Sequence, residues 1–160
     1  MTAAPARRLG RLWRRDWPQH PALTASVDLT VPFQDADPTG AVWHGNYFRY
    51  YDQGRVALLA RFDFGYRAMA ALGQLWPIVE TQVRYLKAVR YDDQLTVEAR
   101  LVEWRFRLRL HYRLLAEDGT LVNEATTVQV PVAAADDSLL IGAPAELCAR
   151  IEAQLASDGG

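Results

Sequence analysis

The sequence has 160 residues and a net charge of −1, with half of its residues hydrophobic and 23% charged. This length suits a single domain with one core, and the composition is that of an ordinary globular protein. No apolar run approaches the roughly 20 residues needed to cross a bilayer, and the first residues lack the apolar core of a signal peptide, so we expect a cytoplasmic protein. With one cysteine, Cys148, and three scattered histidines, we expect no disulfide framework, no metal site and no bound cofactor.

The charge is unevenly distributed along the chain. Residues 1–16 carry a net charge of +4, which leaves −5 for the remainder. Two prolines follow this basic segment, and we predict a flexible, solvated arm over residues 1–22. Alternatively its arginines, together with Trp13 and Trp17, contact an acidic carrier protein or an anionic membrane surface. Neither interpretation puts the active site in the arm.

The first elements of the domain are a strand and a long helix. Apolar and polar residues alternate over residues 23–33, which predicts a strand that ends near Pro32. A turn follows over residues 35–40, and Asn46 is suited to cap a helix over residues 47–62. Bulky apolar residues cover most of the circumference of this helix, so we expect it to be largely buried. Its narrow polar stripe contains Arg49, Asp52, Gln53 and Arg55.

The second half of the chain is rich in strands. A short helix is expected first, over residues 67–72, ended by Gly73. The clearest strand covers residues 105–116, where apolar residues alternate with basic ones, so that one face is buried and the other is cationic. The cationic positions are Arg105, Arg107, Arg109, His111 and Arg113. The other strands are expected over residues 76–89, 94–104 and 121–132.

These elements combine into one domain over residues 23–156. Asp118 and Gly119 join the last two strands as a hairpin, and Pro144 opens an amphipathic C-terminal helix. The order strand, long helix, four strands and terminal helix predicts an α+β fold in which an antiparallel sheet curls about the helix. We expect residues 157–160 to be disordered.

The turn before the long helix carries a spaced motif. It reads Asp-x-Asp-x-x-Gly-x-Val-x-His-x-x-Tyr and is filled by Asp35, Asp37, Gly40, Val42, His44 and Tyr47. The motif resembles the signature of the 4-hydroxybenzoyl-CoA thioesterase family of hotdog-fold proteins. Weaker similarity in residues 91–98 and 103–105 extends the resemblance over residues 24–133. It implies a hotdog fold and hydrolysis of a thioester of coenzyme A or of an acyl carrier protein.

Two carboxylates of the motif receive different roles. By resemblance, Asp37 is the counterpart of the catalytic carboxylate, which acts as a nucleophile or as a general base. The alternative is that Asp37 only forms an Asx turn before Pro38. We assign Asp35 to structure, as a turn or capping carboxylate. Asp52 lies on the helix, where a related hotdog subclass has its catalytic carboxylate, but with Asp37 present we interpret it as part of the polar stripe or as a dimer contact.

His44 comes just before the helix. Its backbone N–H is well placed to polarise the thioester carbonyl, because the first N–H groups of a helix have no partner within it. Its imidazole either positions the substrate or transfers a proton. Gly40, Val42 and Trp43 belong to the same segment, and we expect them to contact the substrate.

The resemblance also predicts how substrate and subunits are bound. Basic residues after the Glu-Trp pair contact the CoA nucleotide in this family, which here matches Arg105 and Arg107. Phe106 stands where the closest members have a basic residue, so the choice between CoA and a carrier protein stays open. We expect a homodimer with active sites at the subunit interface, and a further pairing into tetramers is an open alternative.

Other functional classes have less support. No Asp-x-Asn-Pro-x-His or His-Phe-Pro pattern typical of hotdog dehydratases occurs in the sequence. The only basic block is the N-terminal arm, so nucleic-acid binding is not expected. A non-catalytic acyl-CoA-binding or scaffold protein with the same fold remains the main alternative to a thioesterase.

Overall fold

The computed structural model describes residues 16–157. Five antiparallel strands form one sheet in the order β1-β4-β5-β6-β3, and β2 and β7 form a separate two-stranded ribbon. The elements in chain order are β1 (Thr24–Thr30), α1 (Tyr47–Ala60), α2 (Tyr66–Ala71), β2 (Gln74–Leu75), β3 (Ile78–Tyr85), β4 (Gln94–Glu103), β5 (Leu108–Ala116), β6 (Leu121–Gln129), β7 (Val132–Ala133) and α3 (Ala145–Ser157). A sheet curled around one long helix is the hotdog arrangement, so the predicted fold is confirmed.

The close approach of α1 to the sheet depends on Gly54. A Cβ atom at Gly54 would lie 3.0 Å from Cγ1 of Val97 and 3.1 Å from Cβ of Ala99, both on β4. The helix therefore rests almost directly on the strand. Its large buried side chains include Tyr51 and Leu58, which are 1% and 0% exposed.

The buried face of α1 is narrower than predicted. Phe48 and Val56 are 41% and 51% exposed, because the sheet covers only one side of the helix within the single chain. Arg55, which we placed in the polar stripe, is instead 4% exposed. Its Nη2 donates to the Asp52 carboxylate at 2.7 Å and to the Tyr66 hydroxyl at 2.8 Å. These bonds offset part of the cost of burying the guanidinium group, although the buried Nη1 has no partner among residues 16–157.

Asn46 does not cap α1 as predicted. A single turn of 3₁₀ helix over His44–Asn46 runs directly into α1, so Asn46 already has helical backbone angles. Its side chain instead donates to the backbone carbonyl of Asp35 at 2.9 Å and accepts from Arg49 at 2.8 Å.

The clearest predicted strand begins later than expected. β5 starts at Leu108, and residues 105–107 belong to the turn after β4. Phe106 is accordingly 69% exposed, although the alternation placed it on the buried face, and His111 is 1% exposed, although it was placed on the cationic face. The alternation of apolar and basic residues continues through the turn, whereas the extended backbone of the strand does not.

The outer face of the sheet is neutralised by partners from neighbouring strands. Glu98 of β4 lies opposite Arg113 of β5. Arg113 lies opposite Glu124 of β6, and Glu124 lies opposite Arg84 of β3. Ion pairs of 3.3 Å and 3.5 Å join Arg113 to Glu98 and Arg84 to Glu124. Charges thus alternate across four strands, and the face is not the uniformly cationic surface that β5 alone predicted.

The segment predicted as an arm is described only from residue 16 onward. The Trp17 ring lies 5.6 Å from the His111 ring on the outer face of the sheet. Ala22 is fully buried within a 3₁₀ turn that precedes β1. Residues 1–15 and 158–160 lie outside the described residues. None of the helices between residues 16 and 157 is long and apolar enough to span a bilayer.

Candidate active site

The acidic motif forms a tight turn between β1 and α1. The N–H of Gly40 donates to the Asp37 carbonyl at 2.9 Å, and the N–H of Asp37 donates to the Ala41 carbonyl at 2.8 Å. Gly40 has a φ of +79°, a conformation that favours glycine. The N–H of Val42 then donates to the Val89 carbonyl at 2.7 Å. The first two bonds close the turn, and the bond to Val89 anchors it to the segment that follows β3.

The carboxylate of Asp37 is held by Thr39. Its Oδ1 accepts from the backbone N–H of Thr39 at 2.8 Å and from the Thr39 hydroxyl at 2.5 Å. These bonds, with a smaller contribution from nearby His44, lower the pKa of Asp37 below its ordinary value. The Asx turn that we considered as an alternative is therefore present. Among residues 16–157, no group bonds to Oδ2, so this carboxylate oxygen has no partner in the turn.

Asp35 ties the turn to α1. Its side chain is 2% exposed, Oδ2 accepts from the Tyr50 hydroxyl at 2.7 Å, and Oδ1 pairs with Arg49. Its backbone carbonyl accepts from the N–H of Trp43 at 2.9 Å. These contacts match a structural carboxylate, although it caps no helix.

His44 opens the helical segment that continues into α1. As the first residue of the 3₁₀ turn, it has an N–H group without a partner inside that turn. Its imidazole is exposed, with the Trp43 ring 4.9 Å away and the Tyr85 ring 6.5 Å away. The Tyr85 hydroxyl donates to the His44 carbonyl at 2.8 Å.

The neighbouring motif residues differ in exposure. Val42 is 5% exposed and belongs to the core, whereas Trp43 is 50% exposed. The Trp43 indole lies over Gly45, where a Cβ atom would come within 2.2 Å of a ring carbon. Gly40 lies beside Arg90, whose Nη1 would be 3.3 Å from a Cβ atom there. The structure thus groups Asp37, Gly40, Trp43 and His44 on one exposed turn.

The two arginines expected at the nucleotide do not lie near this turn. Arg105 and Arg107 follow the far end of β4, a strand that spans about 30 Å at 3.3 Å per residue. The other end of β4 lies beside the motif, since the N–H of Val31 donates to the Asp93 carbonyl at 3.0 Å. Arg107 pairs with Glu103 at 2.8 Å, and Arg105 contacts Glu152 at 3.5 Å.

Sequence reasoning missed two residues that shape the site. Thr39 holds Asp37, and the Asp-x-Thr spacing of an Asx turn was a signal that could have found it. Tyr85 holds the His44 carbonyl across 41 positions of sequence, and no local pattern indicates such a contact. Within residues 16–157, no group of three His, Cys, Asp or Glu side chains is arranged to share a metal ion.

Comparison with known proteins supports the resemblance. Residues 31–151 match the model of the thioesterase-like superfamily. The acyl-CoA thioester hydrolase YbgC of Escherichia coli O6:H1 is 28% identical over 105 residues, which cover 65% of this chain and 78% of that protein. The 1,4-dihydroxy-2-naphthoyl-CoA hydrolase of Thermosynechococcus vestitus is 34% identical over 112 residues, which cover 68% and 75%.

A solved structure gives the same fold. The structure of a 4-hydroxybenzoyl-CoA thioesterase mutant in complex with 4-hydroxybenzoyl-CoA superimposes with a TM-score of 0.72 at 23% identity. The match covers 81% of this chain and 99% of that one. The chain therefore belongs to the thioesterase-like superfamily of hotdog proteins.

Proposed function

We propose that this protein is a thioesterase that hydrolyses an acyl-CoA or acyl-carrier-protein thioester to a free acid and a thiol. The observation that carries the proposal is the juxtaposition of the Asp37 carboxylate with the open end of the helical segment that begins at His44. Relatives from Escherichia coli and Thermosynechococcus vestitus carry names of acyl-CoA hydrolases, which supports the same reaction class.

Hydrolysis uses the Asp37 carboxylate and the backbone at His44. Asp37 attacks the thioester carbonyl carbon as a nucleophile, or it removes a proton from a water molecule that attacks. The carbonyl oxygen gains negative charge, and backbone N–H groups at His44 stabilise it. The carbon–sulfur bond then breaks, and the thiolate leaves with the electron pair and takes up a proton. If Asp37 was acylated, water hydrolyses the mixed anhydride.

The lowered pKa of Asp37 is compatible with both roles. Each role needs the ionised carboxylate, and the two bonds from Thr39 stabilise that form at neutral pH. Both bonds go to Oδ1, so Oδ2 is the oxygen that is available for attack or for proton removal.

In this function Asp37 and the two arginines Arg105 and Arg107 act on one substrate, but within a single chain they lie at opposite ends of the sheet. Two chains must therefore combine to form one complete site. Edge strand β3 begins at the arginine end of the sheet, where Ile78 lies opposite Gln129 and Gln129 opposite Leu108. It ends at Tyr85, beside His44. A two-fold pairing of β3 with its copy puts the Tyr85 end of one strand next to the Ile78 end of the other. In such a homodimer, the arginines of one subunit grip the CoA whose thioester lies at Asp37 of the other.

A hydrolysis screen tests the proposal. Thiol release is measured over a panel of aromatic and aliphatic acyl-CoA and acyl-carrier-protein substrates, with the Asp37→Asn variant as the inactive reference. We expect at least one substrate to turn over only with Asp37 intact. Saturable acyl-CoA binding without any thiol release would identify a non-catalytic acyl-CoA-binding protein instead.

A further inference from the structure

Tyr85 connects the end of edge strand β3 to the first residue of the helical segment. Its hydroxyl donates to the His44 carbonyl oxygen at 2.8 Å. Its ring meets the Tyr47 ring at 5.1 Å and the His44 ring at 6.5 Å, both edge to face. The side chain is 47% exposed, so it borders the same open surface as His44.

This bond adds an anchor from outside the turn to the peptide unit between His44 and Gly45. The carbonyl of His44 and the N–H of Gly45 share one planar trans peptide, so fixing one fixes the direction of the other. Gly45 has no side chain to limit its backbone, and it cannot be exchanged for a larger residue while the Trp43 indole lies over it. The Asn46 N–H closes the turn by donating to the Trp43 carbonyl at 2.9 Å, and Tyr85 adds a restraint from another element, directly on the carbonyl of this peptide.

The restrained peptide lies where the proposed reaction needs precision. The N–H groups of His44 and Gly45 are the first two of the helical segment and point away from its interior. An N–H group that stabilises an oxyanion acts only if it is already aimed at the position that the oxygen will occupy. A small rotation of this peptide would lower the rate while leaving remote substrate contacts intact.

We infer that Tyr85 is a positioning residue for hydrolysis, whose hydroxyl fixes the His44–Gly45 peptide and so aims the backbone N–H of Gly45 at the developing oxyanion. The inference rests on the proposed thioesterase function. Burial raises the pKa of Tyr85 above its ordinary value of 10.0, so the hydroxyl keeps its proton and donates throughout the neutral range.

The first test removes only the hydroxyl. We expect Tyr85→Phe to lower kcat by about 5- to 30-fold, the effect of losing part of an oriented oxyanion interaction, with KM within about 2-fold. The acid limb of kcat/KM stays in place, since Tyr85 does not bond to Asp37. The matched control is Tyr91→Phe, because Tyr91 is 54% exposed and its ring packs on Phe33. That variant keeps the wild-type kcat.

The second test separates positioning from simple structural support. Replacement of Tyr85 by 4-aminophenylalanine keeps an aromatic ring and restores a donor at the same place, so we expect kcat to return to within about 3-fold of wild type. A kcat of Tyr85→Phe within 2-fold of wild type, or no rescue by the amine, overturns the inference.

A third measurement does not depend on activity. Amide hydrogen exchange at Asn46, whose N–H closes the turn by donating to the Trp43 carbonyl at 2.9 Å, is followed by NMR and is expected to accelerate about tenfold or more in Tyr85→Phe, because the turn opens more readily. Unchanged exchange contradicts the restraint. If the wild-type protein hydrolyses no thioester, the proposed function fails on its own, and the exchange rates still decide whether Tyr85 holds the peptide.

Discussion

Asp37 shows how one bonding pattern can serve both a turn and a reaction. Asp118 is held by Thr120 in the turn after β5, and Asp136 by Ser138, in the same way that Thr39 holds Asp37. The pKa of each of the three carboxyls is lowered by these bonds. Only the Asp37 turn leads directly into the open end of the helical segment at His44. Position, and not bonding, distinguishes the candidate catalytic carboxylate.

A neutral amide at this position should stop turnover without unfolding the protein. We expect Asp37→Asn to lower kcat by roughly 10²- to 10⁴-fold, because the side chain loses its charge while its oxygen still accepts from Thr39. Asp118→Asn is the matched control, since it makes the same change in an equivalent turn that does not lead into the helical segment at His44. Thiol release measures activity, and circular dichroism checks that each variant is folded. Activity of Asp37→Asn within a few-fold of wild type would contradict the assignment of Asp37 as the catalytic carboxylate.

Thr39 should set the pH at which activity is lost. In the proposed mechanism the ionised form of Asp37 is the active one, so activity falls as pH drops through its pKa, which the two Thr39 bonds hold below its ordinary value of 3.8. Thr39→Val removes the hydroxyl bond and keeps the backbone bond, so the pKa rises and the loss begins at a higher pH. Profiles of kcat/KM are measured with the folded fraction recorded at each pH. An acid limb that does not move, or that moves to lower pH, contradicts this picture.

The residues of the site divide by the range of their interactions. Asp37, Gly40 and His44 could be found from the sequence, because they fill one spaced motif that resembles a family signature. Tyr85 could not be found in the same way, since its partner lies on another element. Local spacing predicts what a turn brings together, whereas a contact across the fold requires the fold itself.

At the scale of elements, strand and helix periods predicted the order of the architecture but not every boundary. Alternation of apolar and basic residues continued through residues 105–107, where the chain in fact turns before β5. The alternation also does not indicate whether a neighbouring strand carries acidic residues opposite the β5 arginines. The acidic partners of the β5 arginines become visible only through the register with β4 and β6.

The helix-to-sheet distance at Gly54 gives a sharp test of packing. An alanine there gains helix propensity of about 1 kcal/mol but forces a methyl against Val97 and Ala99, and such overpacking costs about 1–3 kcal/mol. We expect Gly54→Ala to lower the free energy of unfolding by about 1 kcal/mol net. Denaturant unfolding measures the effect.

Two further variants check the cause. The Val97→Ala background opens space at the contact, so Gly54→Ala should cost less there, which a double-mutant cycle detects. Gly65→Ala is the control glycine, because no atom lies within 4 Å of its added methyl. A Gly54→Ala protein as stable as Gly65→Ala would show that α1 can shift away from the sheet freely.

The turn between β4 and β5 carries the test of nucleotide binding. Replacing Arg105 and Arg107 together by alanine should raise KM for acyl-CoA by about tenfold and leave kcat nearly unchanged if, as proposed, these side chains grip the remote nucleotide and not the reacting carbonyl. Little stability is at stake, since exposed ion pairs such as theirs contribute about 0–1 kcal/mol. Arg67→Ala on α2 is the control for loss of an exposed arginine. An unchanged KM for acyl-CoA points to a carrier-protein substrate or to arginines that contact only solvent.

At the scale of the whole molecule, β3 is one of the two edge strands of the sheet, and β1 is the other. Within residues 16–157, β3 pairs with β6 on one side and with no strand on the other. Its first residues, Ile78 and Val79, are 40% and 58% exposed, and Phe48 and Val56 of α1 are exposed as well. An unpaired edge bordered by apolar side chains favours pairing with a second copy. We therefore expect a symmetric dimer through β3, whether or not dimers pair again into tetramers.

Breaking this edge should abolish dimerisation and hydrolysis together. Val79→Lys introduces the charge that natural edge strands use against pairing, and it leaves the core of the single chain untouched. Ile141→Lys is the control, because Ile141 is 98% exposed on the loop between β7 and α3. Sedimentation and thiol release are measured on the same samples over a dilution series. If the interface completes the site, activity follows the fraction of protein that is dimeric. A fully active monomer would refute a site shared between subunits. The role of Asp37 would then still be tested by the Asp37→Asn variant.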